Sequence, residues 1–216
     1  MSAELTATDL SFGYDTPIFK GVTVSVHAGE QLAILGKNGS GKTTLLRLFS
    51  GILRPTSGTL LMPSSIGWKG CDLPAYCPFS VLDILNLHPS HVRLNPANER
   101  DRIITQFNLE SIISRPLETL STGEQHRVLL ARLFVAAYPM LVVDEPLTAL
   151  DPYQQAILTQ EFRRFTADGG IVMVASHDLE WVAETCHRTI SLLDRILFEI
   201  SPKTVTSAEF KKSYAR

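Results

Sequence analysis

Cysteine is scarce in this chain. Three occur in 216 residues, Cys71, Cys77 and Cys186, and their spacing matches no metal motif. An odd number leaves one thiol over in any pairing scheme. The three read as reduced, cytosolic cysteines. Long apolar runs are missing too. The longest, 133–143, contains Pro139 and falls short of the roughly 18 residues needed to span a bilayer. Charge of one sign is also absent. Twenty Lys and Arg stand against 22 Asp and Glu, a net charge of −2, so overall charge gives no argument for a nucleic-acid partner, and none is expected. The start, Met1-Ser2-Ala3-Glu4, begins neither a secretion signal nor a transit peptide. Work at a membrane would then need another subunit to hold the chain there. Internal repeats, low-complexity tracts and long flexible linkers are lacking as well, which leaves one domain or a core with an inserted subdomain.

What the chain does contain is Gly36-Lys37-Asn38-Gly39-Ser40-Gly41-Lys42-Thr43. The run fits G-x-x-x-x-G-K-[ST], the phosphate-binding loop of nucleotide triphosphatases. Its glycines let the backbone curl so that successive N–H groups point at phosphate oxygens. Lys42 adds a cation for the β- and γ-phosphates, and the Thr43 hydroxyl can ligate Mg²⁺. An apolar segment, 31–35, precedes the loop. A helix bearing Leu45, Leu46, Leu48, Phe49 and Ile52 follows it and turns its positive N-terminus toward the same anion.

Periodicity places the remaining elements. Residues 5–35 read as strands, with Val22, Val24 and Val26 alternating against polar neighbours. The helix after the loop is expected over 41–53, a turn at 55–58, and short strands at 59–62 and 66–68. From about 70 to 138 prolines 74, 78, 89, 96 and 116 break up short amphipathic segments, with helices expected at 80–87, 97–107 and 123–136. Buried strands follow at 141–143 and 171–175, separated by an amphipathic helix at 152–168. A helix at 178–185 and a hairpin near 192–200 complete the pattern.

Leu141-Val142-Val143-Asp144-Glu145 is an apolar strand ending in two acids. Carboxylates at the end of a parallel strand emerge where open α/β sheets bind ligands. Asp144 is placed to hold Mg²⁺ or its water shell, and Glu145 to orient the attacking water. Taken alone the motif is common; about 100 residues after a phosphate loop it is specific.

Three further segments resemble the ATP-binding cassette (ABC) ATPases. Leu120-Ser121-Thr122-Gly123-Glu124-Gln125 resembles the signature motif, Ala149-Leu150-Asp151 the D-loop, and Ser176-His177-Asp178 the switch-histidine segment. The resemblance covers residues 5 to about 200. It implies an α/β fold: a P-loop NTPase core, an N-terminal antiparallel β subdomain and an inserted α-helical subdomain. The whole of 1–216 is then a single cassette, with core at 1–70 and 139–216 and the helical part at 71–138. It also implies ATP and Mg²⁺ as ligands, transmembrane permease subunits and a second cassette as partners, and a peripheral site on the cytoplasmic face of a membrane. Nucleotide contacts are expected from Tyr14, Gly36, Asn38, Gly39, Ser40, Gly41, Lys42, Thr43, Thr44 and Asp151, with Ser121 and Gly123 serving the opposing subunit. Glu145 and His177 are the expected catalytic pair, and Thr43 and Asp144 the metal ligands. Plainer readings stand beside these. Ser121 with Glu124 is also an ordinary capping box, His177 a strand-end histidine, and Tyr14 a core or edge tyrosine.

The chain departs from the family pattern at two places. Cys71 stands where a glutamine that touches Mg²⁺ belongs, and no glutamine occurs between Gln31 and Gln106. Asp72 could supply an oxygen or be a solvated loop acid. In the signature, Thr122 replaces a glycine and Glu124 the glutamine. The reading is an ATPase that powers a membrane transporter, with metal or metal-chelate import as the expected cargo class. The alternative is a soluble or signalling cassette with altered coupling.

Overall fold

The computed structural model describes residues 4–70, 76–193, 196–208 and 210. The chain opens with strands β1 (Glu4–Gly13), β2 (Pro17–His27) and β3 (Gln31–Leu35). Helix α1 (Lys42–Phe49) follows the phosphate loop, then strands β4 (Ser57–Leu61) and β5 (Gly67–Lys69). Helices α2 (Val81–Asn86), α3 (Ala97–Gln106) and α4 (Thr122–Val135) come next. Strand β6 (Met140–Asp144), helix α5 (Pro152–Ala167), strand β7 (Ile171–Ala175) and helix α6 (Leu179–Thr185) lead to the hairpin of β8 (Arg188–Leu193) and β9 (Ile196–Ile200).

The first strands form an antiparallel sheet in the order β2-β1-β4. In β1 the buried residues are Leu5, Ala7, Leu10 and Phe12. The period of two breaks after Ala7, where the register shifts and Asp9 adopts φ 50°. One extra residue at this bulge keeps Leu10 and Phe12 facing inward.

The second sheet has the order β5-β6-β7-β3-β8-β9, parallel except for the last pair. Its central strands are buried along their whole length, as parallel strands covered on both faces must be. Alternate residues feed different cores. Ile34, Val142 and Met173 join α1 and the antiparallel sheet on one side. Leu35, Val143 and Val174 join the layer of α2, α4, α5 and α6 on the other. Each such fully buried side chain contributes about 1.5–3 kcal/mol.

Capping side chains start α2, α4, α5 and α6. Ser80 and Asp83 form a capping box on α2, and Ser121 and Glu124 form one on α4. Asp151 caps α5, with Pro152 in its first turn, and Asp178 caps α6.

Two elements differ from their expected bounds. The helix expected over 41–53 ends at Phe49, because Gly51 at φ 76° turns the chain left-handed and leaves Ile52 53% exposed. The hairpin expected near 192–200 starts earlier, with Thr189 opposite Ile200, because β8 lies between β3 and β9 and pairs with both along 189–191.

His126 lies on the buried face of α4, 4% exposed. Desolvation, aided by the nearby Lys69 charge, pushes its pKa down from 6.5 to about 4. The unfolded chain therefore takes up a proton between pH 6.5 and 4 that the folded chain refuses. Stability is full above pH 6.5 and drains as pH falls toward 4, by about 3 kcal/mol. Denaturation midpoints across this range should show the loss in the wild type, and His126→Leu should flatten it.

Candidate functional site

Three parallel strands end side by side. Register sets Ala175 opposite Ile34 on one flank and opposite Asp144 on the other. The residues just beyond them, the loop from Gly36, then Glu145, then Ser176 and His177, thus share one edge of the sheet. Ligands of open α/β sheets bind at this edge.

The loop that follows β3 is built around missing side chains. A Cβ on Gly36 would sit 2.4 Å from Ser40 Oγ and 2.8 Å from the Leu192 carbonyl. Gly41 adopts φ 104° and ends the loop as the N-cap of α1, with no side-chain cap. The start of that helix is thus left to an anion rather than to a capping group. Lys42 Nζ donates to the Gly36 carbonyl at 2.7 Å and to the Lys37 carbonyl at 3.0 Å, which holds the ammonium over the loop's concave side. Ser40 Oγ is buried with no hydrogen-bond partner among the described residues, and a buried hydroxyl of that kind calls for a polar ligand. Asn38 and Gly39 are exposed at the loop's tip, and Thr44 is half-buried in the first turn of α1.

Thr43 Oγ1 donates to Asp144 Oδ2 at 2.5 Å, across 101 residues of sequence. Two hard oxygen ligands thereby meet beside the phosphate loop. This donor set suits Mg²⁺, which takes few protein ligands and completes its shell with phosphate and water. Accordingly, no cluster of three or more His, Cys, Asp or Glu ligands occurs among the described residues.

Glu145 follows directly. Its backbone is left-handed, φ 50°, and its N–H donates to the Ala175 carbonyl at 2.9 Å. A non-glycine residue held at positive φ costs of order 1 kcal/mol and marks a constrained functional position. Its carboxylate accepts from His177 Nδ1 at 2.7 Å, with the histidine side chain 74% exposed. A carboxylate accepts only, so Nδ1 carries a proton in this contact. While Nδ1 is engaged by Glu145, Nε2 is the ring nitrogen left to meet a phosphate.

Other expected residues lie elsewhere. Ser121, Gly123 and Asp151 line a cavity of about 310 Å³ at the starts of α4 and α5. Tyr14, 67% exposed and set edge-on against Phe12, lines another of about 240 Å³. Neither lining includes a residue of the phosphate loop. Cys71 and Asp72 lie outside the described residues. Gln154 went unnoticed in the sequence. It is 4% exposed on the wall of the larger cavity, and its Oε1 has no partner among the described residues. Its spacing from Leu158 and Phe162, one turn apart on the buried face of α5, was the available signal.

Comparison with known proteins bears on this geometry. The ABC transporter family's sequence pattern matches residues 19–148. A zinc import ATP-binding protein, ZnuC of Psychrobacter arcticus, is 34% identical over 204 residues, covering 89% of this chain and 81% of the relative. The chain belongs to the ABC transporter family. It is the ATP-binding ATPase component that powers such a transporter. Among other relatives, a hemin import ATP-binding protein, HmuV of Rhodopseudomonas palustris, is 35% identical, covering 89% of this chain and 82% of that one. A cytochrome c biogenesis ATP-binding export protein, CcmA of Escherichia coli K12, is also 35% identical, covering 81% and 89%. In fold, the chain matches a metal-chelate type ABC transporter in an inward-facing conformation, with a TM-score of 0.81 at 24% identity, covering 99% of this chain and 89% of that one.

Proposed function

We propose that the edge formed by residues 36–44, 144–145 and 176–177 is the ATP-hydrolysing half-site of this cassette. Meeting residues carry the reading: Thr43 with Asp144, and Glu145 with His177, at the mouth of a loop whose buried Ser40 hydroxyl has no partner among the described residues. The loop and Lys42 hold the triphosphate. Thr43 and Asp144 would hold Mg²⁺, whose chemistry is to neutralise charge building on the phosphate oxygens. Glu145 orients and polarises the attacking water, and His177 reports the γ-phosphate to it.

The separate position of Ser121, Gly123 and Asp151 fits a second role, completing the site of an opposing cassette. The chain then works as one of a head-to-tail pair, with core at 1–70 and 139–216 and a helical subdomain at 71–138. No helix of the described residues is long and apolar enough to cross a membrane. Membrane-spanning permease subunits would hold it on the cytoplasmic face. The zinc and hemin importers among its relatives favour a metal or metal-chelate cargo. A relative of similar identity, CcmA, is an export protein, so direction needs its own test. Transport by vesicles carrying the assembled complex, assayed with the metal inside or outside, decides direction.

Lys42→Ala tests the half-site itself. Losing an ammonium from a phosphate cradle should weaken ATP binding by about ten- to a hundred-fold. Titration with a fluorescent ATP analogue measures it, and unchanged affinity would remove the loop from the nucleotide site.

A further inference from the structure

The signature cavity contains a contact that the reading above does not use. Ser121 caps α4, and both its groups point at one oxygen. Ser121 N–H and Ser121 Oγ each donate to Glu124 Oε2 at 2.8 Å, while Glu124 N–H donates to Ser121 Oγ at 3.4 Å. A hydroxyl has a single proton. While that proton lies on Glu124 it is not available to a phosphate oxygen. A phosphate at hydrogen-bond distance from Ser121 Oγ would also stand within about 6 Å of the carboxylate, a like-charge approach.

That the cavity takes a polar ligand rests on more than the helix start. Gln154, from the start of α5, lines the same cavity, is 4% exposed, and leaves Oε1 unpartnered among the described residues. A Cβ at Gly123, in the first turn of α4, would lie 3.2 Å from the Ala149 carbonyl, so the start of α4 and the segment before α5 are held close. The Ser121 hydroxyl and backbone hold the Glu124 carboxyl below its usual range, so it is ionised at neutral pH. Arg115 offsets part of that charge at 3.9 Å. Arg127, which lines the cavity, donates through Nη1 to the carbonyls of Phe107 and Asn108.

We propose that Glu124 is a positioning residue that withholds the Ser121 hydroxyl and raises the ATP concentration at which two cassettes pair. The proposal rests on the reading of Ser121 as a phosphate contact of the opposing subunit. Glutamine in place of Glu124 keeps the cap, since its amide oxygen still accepts from the Ser121 N–H, but it removes the charge and weakens the hold on the hydroxyl proton from a charge-assisted to an ordinary hydrogen bond.

The test uses the full chain carrying Glu145→Gln, so that pairing is not undone by hydrolysis, with sedimentation velocity across an ATP series with Mg²⁺. Adding Glu124→Gln should lower the ATP concentration for half-maximal pairing by about ten-fold. The melting temperature without nucleotide should move by no more than about 2 °C, where a merely structural role would show. An unchanged or higher pairing concentration overturns the proposal. Ser121→Ala separates the two levels of the argument. If it weakens pairing while Glu124→Gln leaves pairing unchanged, the role of Glu124 alone fails. If Ser121→Ala pairs as readily as its parent, or no chain pairs at any ATP concentration, the signature reading fails and the proposal with it.

Discussion

Glu145→Gln is expected to lower the rate of ATP hydrolysis by about 10²- to 10⁴-fold, the usual contribution of a positioned general base. The carboxylate stands at the end of β6, beside Asp144, and shares a hydrogen bond with His177. Glutamine has nearly the same shape and keeps an oxygen for that bond, but it cannot take a proton from water. Phosphate binding does not depend on it, because the loop glycines, Ser40 and Lys42 lie on a different segment. ATP affinity should therefore stay within about threefold of the wild type. Phosphate release and nucleotide titration on the same preparation separate the two effects. Hydrolysis that survives the change would move the base to another residue.

Arg102→Ala is expected to cost about 3–5 kcal/mol of folding stability. Arg102 on α3 makes a two-pronged ion pair with Glu161 on α5, at 2.7 and 2.8 Å. Glu161 is 3% exposed, whereas the Arg102 side chain is 27% exposed and also meets Glu99 at 3.0 Å. Removing the arginine leaves a carboxylate sealed from water without its countercharge. Removing the glutamate instead leaves a cation that still has Glu99 and solvent, so Glu161→Ala should cost less. Combining Arg102→Met with Glu161→Leu should recover most of the loss, because a well-packed apolar pair avoids the desolvation cost. Urea denaturation of the wild type and these three variants checks the order. Equal losses from the two alanine variants would contradict it.

The chemistry at the phosphate site was legible in the sequence because it is local. Glycines that free the loop, the lysine that answers the phosphate and the acids that end β6 are contiguous runs, and each obeys a backbone rule that spacing reveals. The cap of α4 was legible in the same way, from Ser121 with Glu124 three residues on. What escaped is what only tertiary contact creates. Glu145 and His177 were both expected at the site, but the hydrogen bond between them joins residues 32 apart, and the ion pair of Arg102 with Glu161 joins residues 59 apart. Nothing in either neighbourhood names the other. The bulge at Asp9 depends on β1 having partners on both sides, and the early end of α1 on one glycine taking a left-handed turn. Gln154 drew no reading from the sequence, because the cavity it lines forms only where the starts of α4 and α5 come together. The Ser121–Glu124 contact was visible as a cap, but its cost to a phosphate could be judged only once the cavity around it was known.

The account stands or falls on whether this ATPase serves a membrane complex. The direct measurement is purification of the Glu145→Gln chain from its native host in mild detergent, with ATP and Mg²⁺, and identification of what accompanies it by mass spectrometry. A membrane protein with several spanning segments, recovered in near-stoichiometric amount, is the predicted result, and its identity would narrow the cargo. A soluble partner, or a bare soluble pair under conditions that keep a known transporter complex intact, would contradict the account and move the chain to a signalling role.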